Sequence, residues 1–539
     1  MVTALALFLP TLFFGIPSGH DFEFHLNSWM EVLSQWNQGI IYPSWAVLAH
    51  YGYGEARFIF YPPASWILGG TLGAFLPWKA APGAYVWLAL TFSGSSMFLL
   101  ARRWLERRDA IFAAALYAAN PYYIVIVYWR SAFAELLAGA LLPLLLLYVL
   151  RSKEERGKVI LPLGLIVAAA WLTNAPAAVM VNYSLALLVV TVAIVQRSPR
   201  LLLYGAAAVV LGAALAAFYI LPAAYEEKWV DIAQVLAPGV RPQDNFLFTT
   251  INDADHNRFN LLVSLVAATE MVVLAGAAFL FFRRRATRSN FVASQPASVF
   301  QQCLITWAAA CTLLMFSFTF LAWEFLPELR FLQLPWRWLL CLNVTFALLV
   351  TMAWRRWPLR FVACIIMLAV VVFVWHRVQP PWWDTAADIA EMYDNQQEGR
   401  GYEGADEYVP AGADAYEIKQ DTRRVSFEGR GTARIHVLQW APESKEFTAH
   451  VSQSGQLVLR LFNYPAWRVE VNGHTVEAET REVTGQMEIP VQAGENRVRI
   501  VFARTWDRTT GGIVSGVTAM LMITLVVFQR KLRAAPALS

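Results

Sequence analysis

The sequence predicts a mainly α, polytopic membrane protein of about 12 transmembrane helices with a C-terminal extracytoplasmic β-sandwich. Three observations carry this. The chain is 57% hydrophobic and 15% charged, with a mean hydropathy of +0.44, whereas soluble domains carry about 25% charged residues. Apolar runs near the roughly 20 residues needed to cross a bilayer recur from the N-terminus to Val350 and beyond. Only one long stretch, about 376–504, reads as water-soluble, and its second half alternates apolar and polar residues.

Taken in order, residues 2–17 are apolar but lack a basic n-region and an Ala-x-Ala cleavage site, which predicts a retained helix after almost no cytoplasmic tail. Residues 61–77 open with Pro62-Pro63 and carry Gly69, Gly70 and Gly73, so they are expected to form an interfacial or re-entrant helix. Basic clusters at 102–108, 151–158, 197–200, 283–288, 355–360 and 530–533 bracket even numbers of apolar segments, which places all six on the cytoplasmic side. The loops at 18–60, 128–131, 223–260 and 324–335 then face outward with the soluble region. This gives a transmembrane domain over 1–375, an extracytoplasmic region over 376–505 with its β-sandwich at about 432–505, and a final helix and cytoplasmic tail over 506–539.

Within the first outer loop, Phe22, Leu26, Trp29, Met30, Leu33 and Trp36 recur at three- and four-residue spacing, opposite Asn27, Glu31, Ser34, Gln35 and Asn37. This predicts an amphipathic helix lying on the outer interface and ended by Gly39. In the soluble region, residues 379–424 are polar and acidic. Alternation at 433–439, 446–451, 457–462, 467–471, 486–490 and 497–502, with turns at Asn472-Gly473 and Gly494-Glu495, predicts short antiparallel strands.

The net charge is only +4 and the basic residues lie in short clusters, which argues against a nucleic-acid partner. All four cysteines fall in apolar segments and none has CxxC spacing, so the soluble region relies on no disulfide and no metal ligand set is indicated.

Titratable groups gather where apolar helices meet the outer face. His20, Asp21, Glu23 and His25 follow the first apolar segment. On a helix Asp21 and His25 share a face; in an extended segment Asp21 and Glu23 do. One reading is a helix cap with solvated neighbours. Another is a carboxylate acting as general base. A third, a zinc or manganese site on His20, Asp21 and His25, matches no strong ligand spacing. Arg337 begins a spanning helix between two tryptophans and either snorkels or clamps a phosphate, with Arg330 nearby. Glu135 begins a long apolar helix and is expected to pair with Arg130 or to face a cavity. Asp253 and Asp255 lie just before another helix and are the better site candidates of their acidic loop. No phosphate-binding loop, dinucleotide fingerprint or nucleophile elbow stands in a suitable context.

The acidic motif in the first outer loop, the Pro-Pro interfacial helix, and the Leu99-Leu100-Ala101-Arg102-Arg103-Trp104 run followed by an Ala-rich helix with Asn120-Pro121 resemble the GT-C superfamily of lipid-linked-sugar glycosyltransferases. His20-Asp21 with His25, Leu334-Pro335-Trp336-Arg337, Asp406-Glu407-Tyr408-Val409-Pro410 and Tyr464-Pro465-Ala466-Trp467-Arg468-Val469 resemble the YfhO-like bacterial membrane proteins. Some of those are labelled as related to 6-pyruvoyl-tetrahydropterin synthase, although no pterin-synthase zinc motif is present.

The resemblance implies a GT-C-like membrane body and an inverting transfer of a sugar from a polyprenyl-phosphate carrier to a glycan, lipid or protein acceptor on the outer face of a bacterial inner or plasma membrane. It implies Asp21 as catalytic base with Glu23 in reserve, and Arg337 on the carrier phosphate. His20, His25, Arg130, Glu135, Asp253, Asp255 and Arg330 are then candidates for substrate binding. Some relatives use a divalent metal and others do not. Two other classes stay open, a transporter or flippase of lipid-linked glycans and a non-catalytic envelope assembly protein.

Overall fold

The structure, a computed structural model, describes residues 1–288, 298–377 and 382–534, with side chains over 1–284, 298–373 and 382–527. Residues 378–381, where the polar region is predicted to begin, lie outside the described residues, as do the side chains of the basic residues at 285–288 and 530–533.

The chain folds as two units interleaved along the sequence. One is built from residues 1–25, 75–216 and 235–389; the other from 26–74, 217–234 and 390–539. The first unit is mainly helical. Its central helix, Leu339–Ala353, is almost wholly buried and packs against Arg107–Ala118, Ala254–Arg288 and Val299–Leu314. Ile160–Thr173 and Arg200–Leu215 approach closely because Gly164 and Gly212 face each other's helices: a Cβ on Gly212 would stand 2.5 Å from the Val167 side chain and 2.8 Å from the Gly164 carbonyl oxygen.

Among the described residues, seven helical runs are long and apolar enough to cross a membrane, and up to nine if the pairs broken after Leu215 and Leu314 each count as one span. The predicted count of about 12 differs for identifiable reasons. The run Phe133–Thr173 has 41 residues, about 60 Å at 1.5 Å per residue, twice a hydrocarbon core. It reverses at Arg156, whose φ is +51°, and Ile160–Thr173 packs back on Phe133–Ala138 and Leu141–Glu155, so it comprises two limbs. The other predicted spans, Val2–Phe14 and Trp357–Phe373, are shorter apolar helices.

The second unit contains helix Pro63–Phe75, most of helix Phe22–Asn37, two β-sheets and helix Trp506–Ala534. From Leu26 onward, Phe22–Asn37 does not lie flat with a wet polar face. Leu26, Asn27, Ser28, Trp29, Glu31 and Gln35 are all buried. The Glu31 carboxylate accepts hydrogen bonds from the backbone N–H groups of Val47 (2.7 Å) and Leu48 (2.8 Å) and from the Tyr402 hydroxyl (2.8 Å), so partners inside the unit replace water on that face. Helix Pro63–Phe75 seats on it through Gly69 and Gly70; a Cβ on Gly69 would be 2.1 Å from the Trp29 ring. A second buried group joins Glu55 to Arg57, to His50 (2.9 Å) and to the Ala405 N–H (2.8 Å).

The C-terminal strands form two antiparallel sheets. One runs Val425–Glu428, Gly455–Phe462, Gln486–Val491, Glu479–Thr480 in spatial order; the other runs Ala433–Ala441, Ser444–Val451, Gly494–Phe502, Trp467–Val471, His474–Val476. Residues Phe447, Ala449 and Val451, and likewise Val498, Ile500 and Phe502, are buried in alternation, giving each strand one buried face. The Asn472-Gly473 turn has φ +53° and +82°, values that suit a two-residue hairpin. The polar stretch after residue 379 contains a helix, Ala386–Gln397, that its composition does not announce.

Lys445, on the Ser444–Val451 strand, is wholly buried. Its ammonium donates to the carbonyls of Ala441 and Pro442 (2.9 Å) and stands 4.7 Å from the centre of the Trp467 ring. Desolvation pushes its pKa down to about 7, with Glu443 opposing and Arg424 reinforcing. The unfolded chain therefore binds this proton more tightly than the folded one between about pH 7 and the ordinary lysine value. Stability of the native protein is expected to rise across that window, and Lys445→Met should flatten the slope when melting temperature is followed against pH.

Candidate active site

The candidate site lies in the helical unit and begins with an irregular stretch of backbone. Asn120 caps the short helix Pro121–Val125, its side-chain oxygen accepting from the Tyr123 N–H (2.8 Å), with Pro121 at the first helical position. The chain then widens into a π-helical turn over Ile126–Arg130 and is stopped by Ser131 at φ +51°. On this turn docks the predicted site loop. Ser131 Oγ accepts from the Gly19 N–H (3.0 Å) and donates to the Pro17 carbonyl (2.9 Å), and the Asp21 N–H donates to the Arg130 carbonyl (2.9 Å). Gly19 lies so close that a Cβ would meet the Trp129 carbonyl oxygen at 2.4 Å. Strand Ile16–Pro17 pairs with Trp383–Asp384 and holds the loop from its other side.

Beneath the loop is a buried ionic group. Glu135, near the start of Phe133–Ala138, accepts from Arg130 Nη1 (2.6 Å), Arg337 Nε (3.1 Å) and the Tyr122 hydroxyl. Arg337 is fixed further by donating from Nη1 to the Leu332 carbonyl (2.6 Å) and to Gln333 Oε1 (3.1 Å). That anchor is a short turn, Leu329–Leu332, flanked by Glu328 and Gln333 at φ +58° and +63°. Arg130 lies over the Trp336 ring at 5.0 Å. One carboxylate thus faces two guanidiniums. Among the described residues, Nε and Nη2 of Arg130 and Nη2 of Arg337 donate to nothing, yet none of them is a buried orphan, so these donors stay accessible.

Asp21 supplies the second carboxylate. It is half-buried, its charge acts on both guanidiniums, and its carboxylate accepts no hydrogen bond among the described residues. Asp21 stands just before the first residue of helix Phe22–Asn37, but its side chain does not cap that helix.

The remaining candidates separate. Glu23 is exposed and acts instead on Asp384, whose carboxyl burial lifts to about 6, opposed by the Ser18 side chain and supported by Glu23 and Asp388. His25 is buried and stacked on Phe133 at 5.2 Å. Asp253 caps helix Ala254–Arg288 by accepting from the N–H groups of Asp255 and His256 (3.0 Å each) and is exposed, as is Asp255. Arg330 is exposed over Phe331. Among the described residues, Glu23, Asp253, Asp255 and Arg330 make no hydrogen bond or ion pair with the ionic group. His20 keeps an exposed edge, while its ring contacts Phe259 (5.3 Å) and Trp382 (5.6 Å). Desolvation by those rings lowers its pKa, Asp21 opposes the shift and Arg130 adds to it.

Sequence reasoning missed Tyr122, Trp336 and the aromatic residues around His20. Only the Trp-Arg dipeptides at 129–130 and 336–337 could have pointed to them. Among the described residues no group of three His, Cys, Asp or Glu side chains could hold a metal ion.

No curated protein shows a significant sequence match. A solved structure that is similar is the Archaeoglobus fulgidus oligosaccharyltransferase, crystallised with Zn and sulfate. Its sequence is 14% identical, its TM-score is 0.36, and the alignment covers 74% of this chain and 53% of that one. The chain therefore spans about half the length of that enzyme. Residues 58–380, more than half of the chain, match the family described as 6-pyruvoyl-tetrahydropterin synthase related domain, membrane protein. The chain belongs to this family of 6-pyruvoyl-tetrahydropterin synthase related, YfhO-like membrane proteins.

Proposed function

We propose that the protein is a membrane glycosyltransferase of inverting type, moving a sugar from a polyprenyl-phosphate carrier to an acceptor hydroxyl on the outer face of a bacterial inner or plasma membrane. The observation that carries this reading is the juxtaposition of an unbonded, half-buried carboxylate, Asp21, with accessible donors of Arg130 and Arg337. A general base must stand free to take a proton. A phosphate leaving group needs preorganised positive charge.

In the reaction, the acceptor oxygen attacks the anomeric carbon as the bond from that carbon to the phosphate oxygen breaks. The acceptor proton passes to Asp21, and the bonding electrons leave with the carrier phosphate toward the guanidinium pair. One displacement inverts the anomeric centre. Glu135 does not enter the chemistry; it holds the two arginines together. The parity of the basic clusters supports the outward placement of the site, with the N-terminus cytoplasmic and the β-sheet region extracytoplasmic.

Mass spectrometry of lipid-linked sugars and surface glycans in a deletion strain tests the reading. Accumulation of one polyprenyl-phosphate sugar together with loss of a glycan residue is expected. An unchanged lipid and glycan profile would refute it.

A further inference from the structure

Four aromatic rings close a circuit beside the candidate base. His20 contacts Phe259 and Trp382, and Trp129 contacts the same two rings, each at 6.3 Å. Phe259 in turn meets Trp336, the ring beneath Arg130, at 5.9 Å. The four rings come from three separate stretches of the helical unit and from the loop that carries Asp21, so no single helix accounts for their convergence. They are not a sealed core: His20 is exposed, and Trp129, Phe259 and Trp382 are each half-buried. The indole N–H groups of Trp129 and Trp382 donate to nothing among the described residues and are not buried orphans.

An aliphatic chain would use the apolar faces and leave these donors idle. A pyranose ring uses both, because its axial C–H groups pack on the electron-rich face of an aromatic ring while its hydroxyls take edge donors and acceptors. Through Trp336 the circuit abuts Arg130, so a ring held on it would carry an anionic substituent within reach of that guanidinium. We infer that His20, Trp129, Phe259 and Trp382 form the platform that holds the sugar ring of the donor, with the ring's phosphate on the arginine pair. This inference rests on the glycosyltransferase reading and assigns it a sugar subsite.

The test uses the full chain in detergent and measures binding of farnesyl phosphate and of a panel of farnesyl-phosphoryl sugars carrying glucose, galactose, mannose, N-acetylglucosamine or arabinose. Wild-type protein is expected to bind at least one glycosylated probe roughly five- to tenfold more tightly than farnesyl phosphate. Trp129→Ala and Trp382→Ala should each erase that increment while leaving farnesyl phosphate affinity unchanged, which also reports that the variants fold. Trp129→Phe and Trp382→Phe should restore most of it. Equal weakening of both probe types would overturn the inference, marking the rings as a seat for the lipid chain or a prop of the fold. So would the absence of any sugar increment in the wild type. Failure of every phosphate probe to bind would instead overturn the glycosyltransferase reading itself, and the subsite with it.

Discussion

Replacing Asp21 with Asn is expected to cut sugar transfer by about 10²- to 10⁴-fold, the usual range for losing a general base, without unfolding the protein. The substitution keeps side-chain volume. It breaks no hydrogen bond, because the Asp21 carboxylate accepts none among the described residues, and the loop is tethered by the Asp21 backbone N–H on the Arg130 carbonyl and by Ser131 on Gly19 and Pro17. Only the charge and the proton acceptor disappear. Removing a negative charge that acts on two guanidiniums should leave farnesyl phosphate binding at least as tight as in the wild type. Loss of transfer with retained phosphate binding is therefore the expected pair of results, read by product formation and by titration. Full activity in the Asn variant would eliminate Asp21 as the base. Glu23→Gln is the matched control, and its effect should be small, since Glu23 is exposed and acts on Asp384 rather than on the arginines.

The largest effect on stability is expected at Glu135. Its carboxylate is 1% exposed and compensates two buried guanidiniums. Glu135→Ala would leave both guanidiniums without the carboxylate that bonds them, with only the more distant charge of Asp21 opposing theirs, and the Tyr122 hydroxyl without its acceptor. Breaking a buried ion pair from one side costs about 3–5 kcal/mol, so thermal unfolding in detergent should shift down clearly. The double variant Glu135→Ala/Arg337→Met should recover part of that loss, because it removes one of the stranded charges together with its partner. If the two losses simply added, the three groups would not form one network. Since Glu135 has a holding role, its loss should depress phosphate binding as well as stability, which separates it from Asp21.

The sequence and the structure part company where local pattern ends. The long strands appear where alternation runs, as at Ser444–Val451 and Gly494–Phe502, because a buried face imposes period two over eight or nine residues. Val425–Glu428, His474–Val476 and Glu479–Thr480 are too short to show a period. Helix Ala386–Gln397 is polar, so hydropathy does not reveal it. The pairing of Arg130 with Glu135 is legible because the two lie five residues apart where a long apolar segment begins. Arg337 joins them across 202 residues of chain, and no sequence pattern predicts that Glu135 would take both arginines. The polar face of the helix that follows Asp21 reads as wet because its partners, Val47, Leu48 and Tyr402, come from other segments of its unit.

The widened turn over Ile126–Arg130 sets the aim of the site through chain length. An ordinary α-helix advances 100° per residue, and a π-turn accommodates one residue more than an α-turn would. The surplus residue decides which way Arg130 points and where the carbonyl that receives Asp21 lies. Base and anion clamp therefore share a single length-dependent setting, additional to the side chains of Trp129 and Arg130 that the turn carries. An intact site requires the number of residues between Asn120 and Ser131 to be kept as well as the identities of Tyr122, Trp129 and Arg130.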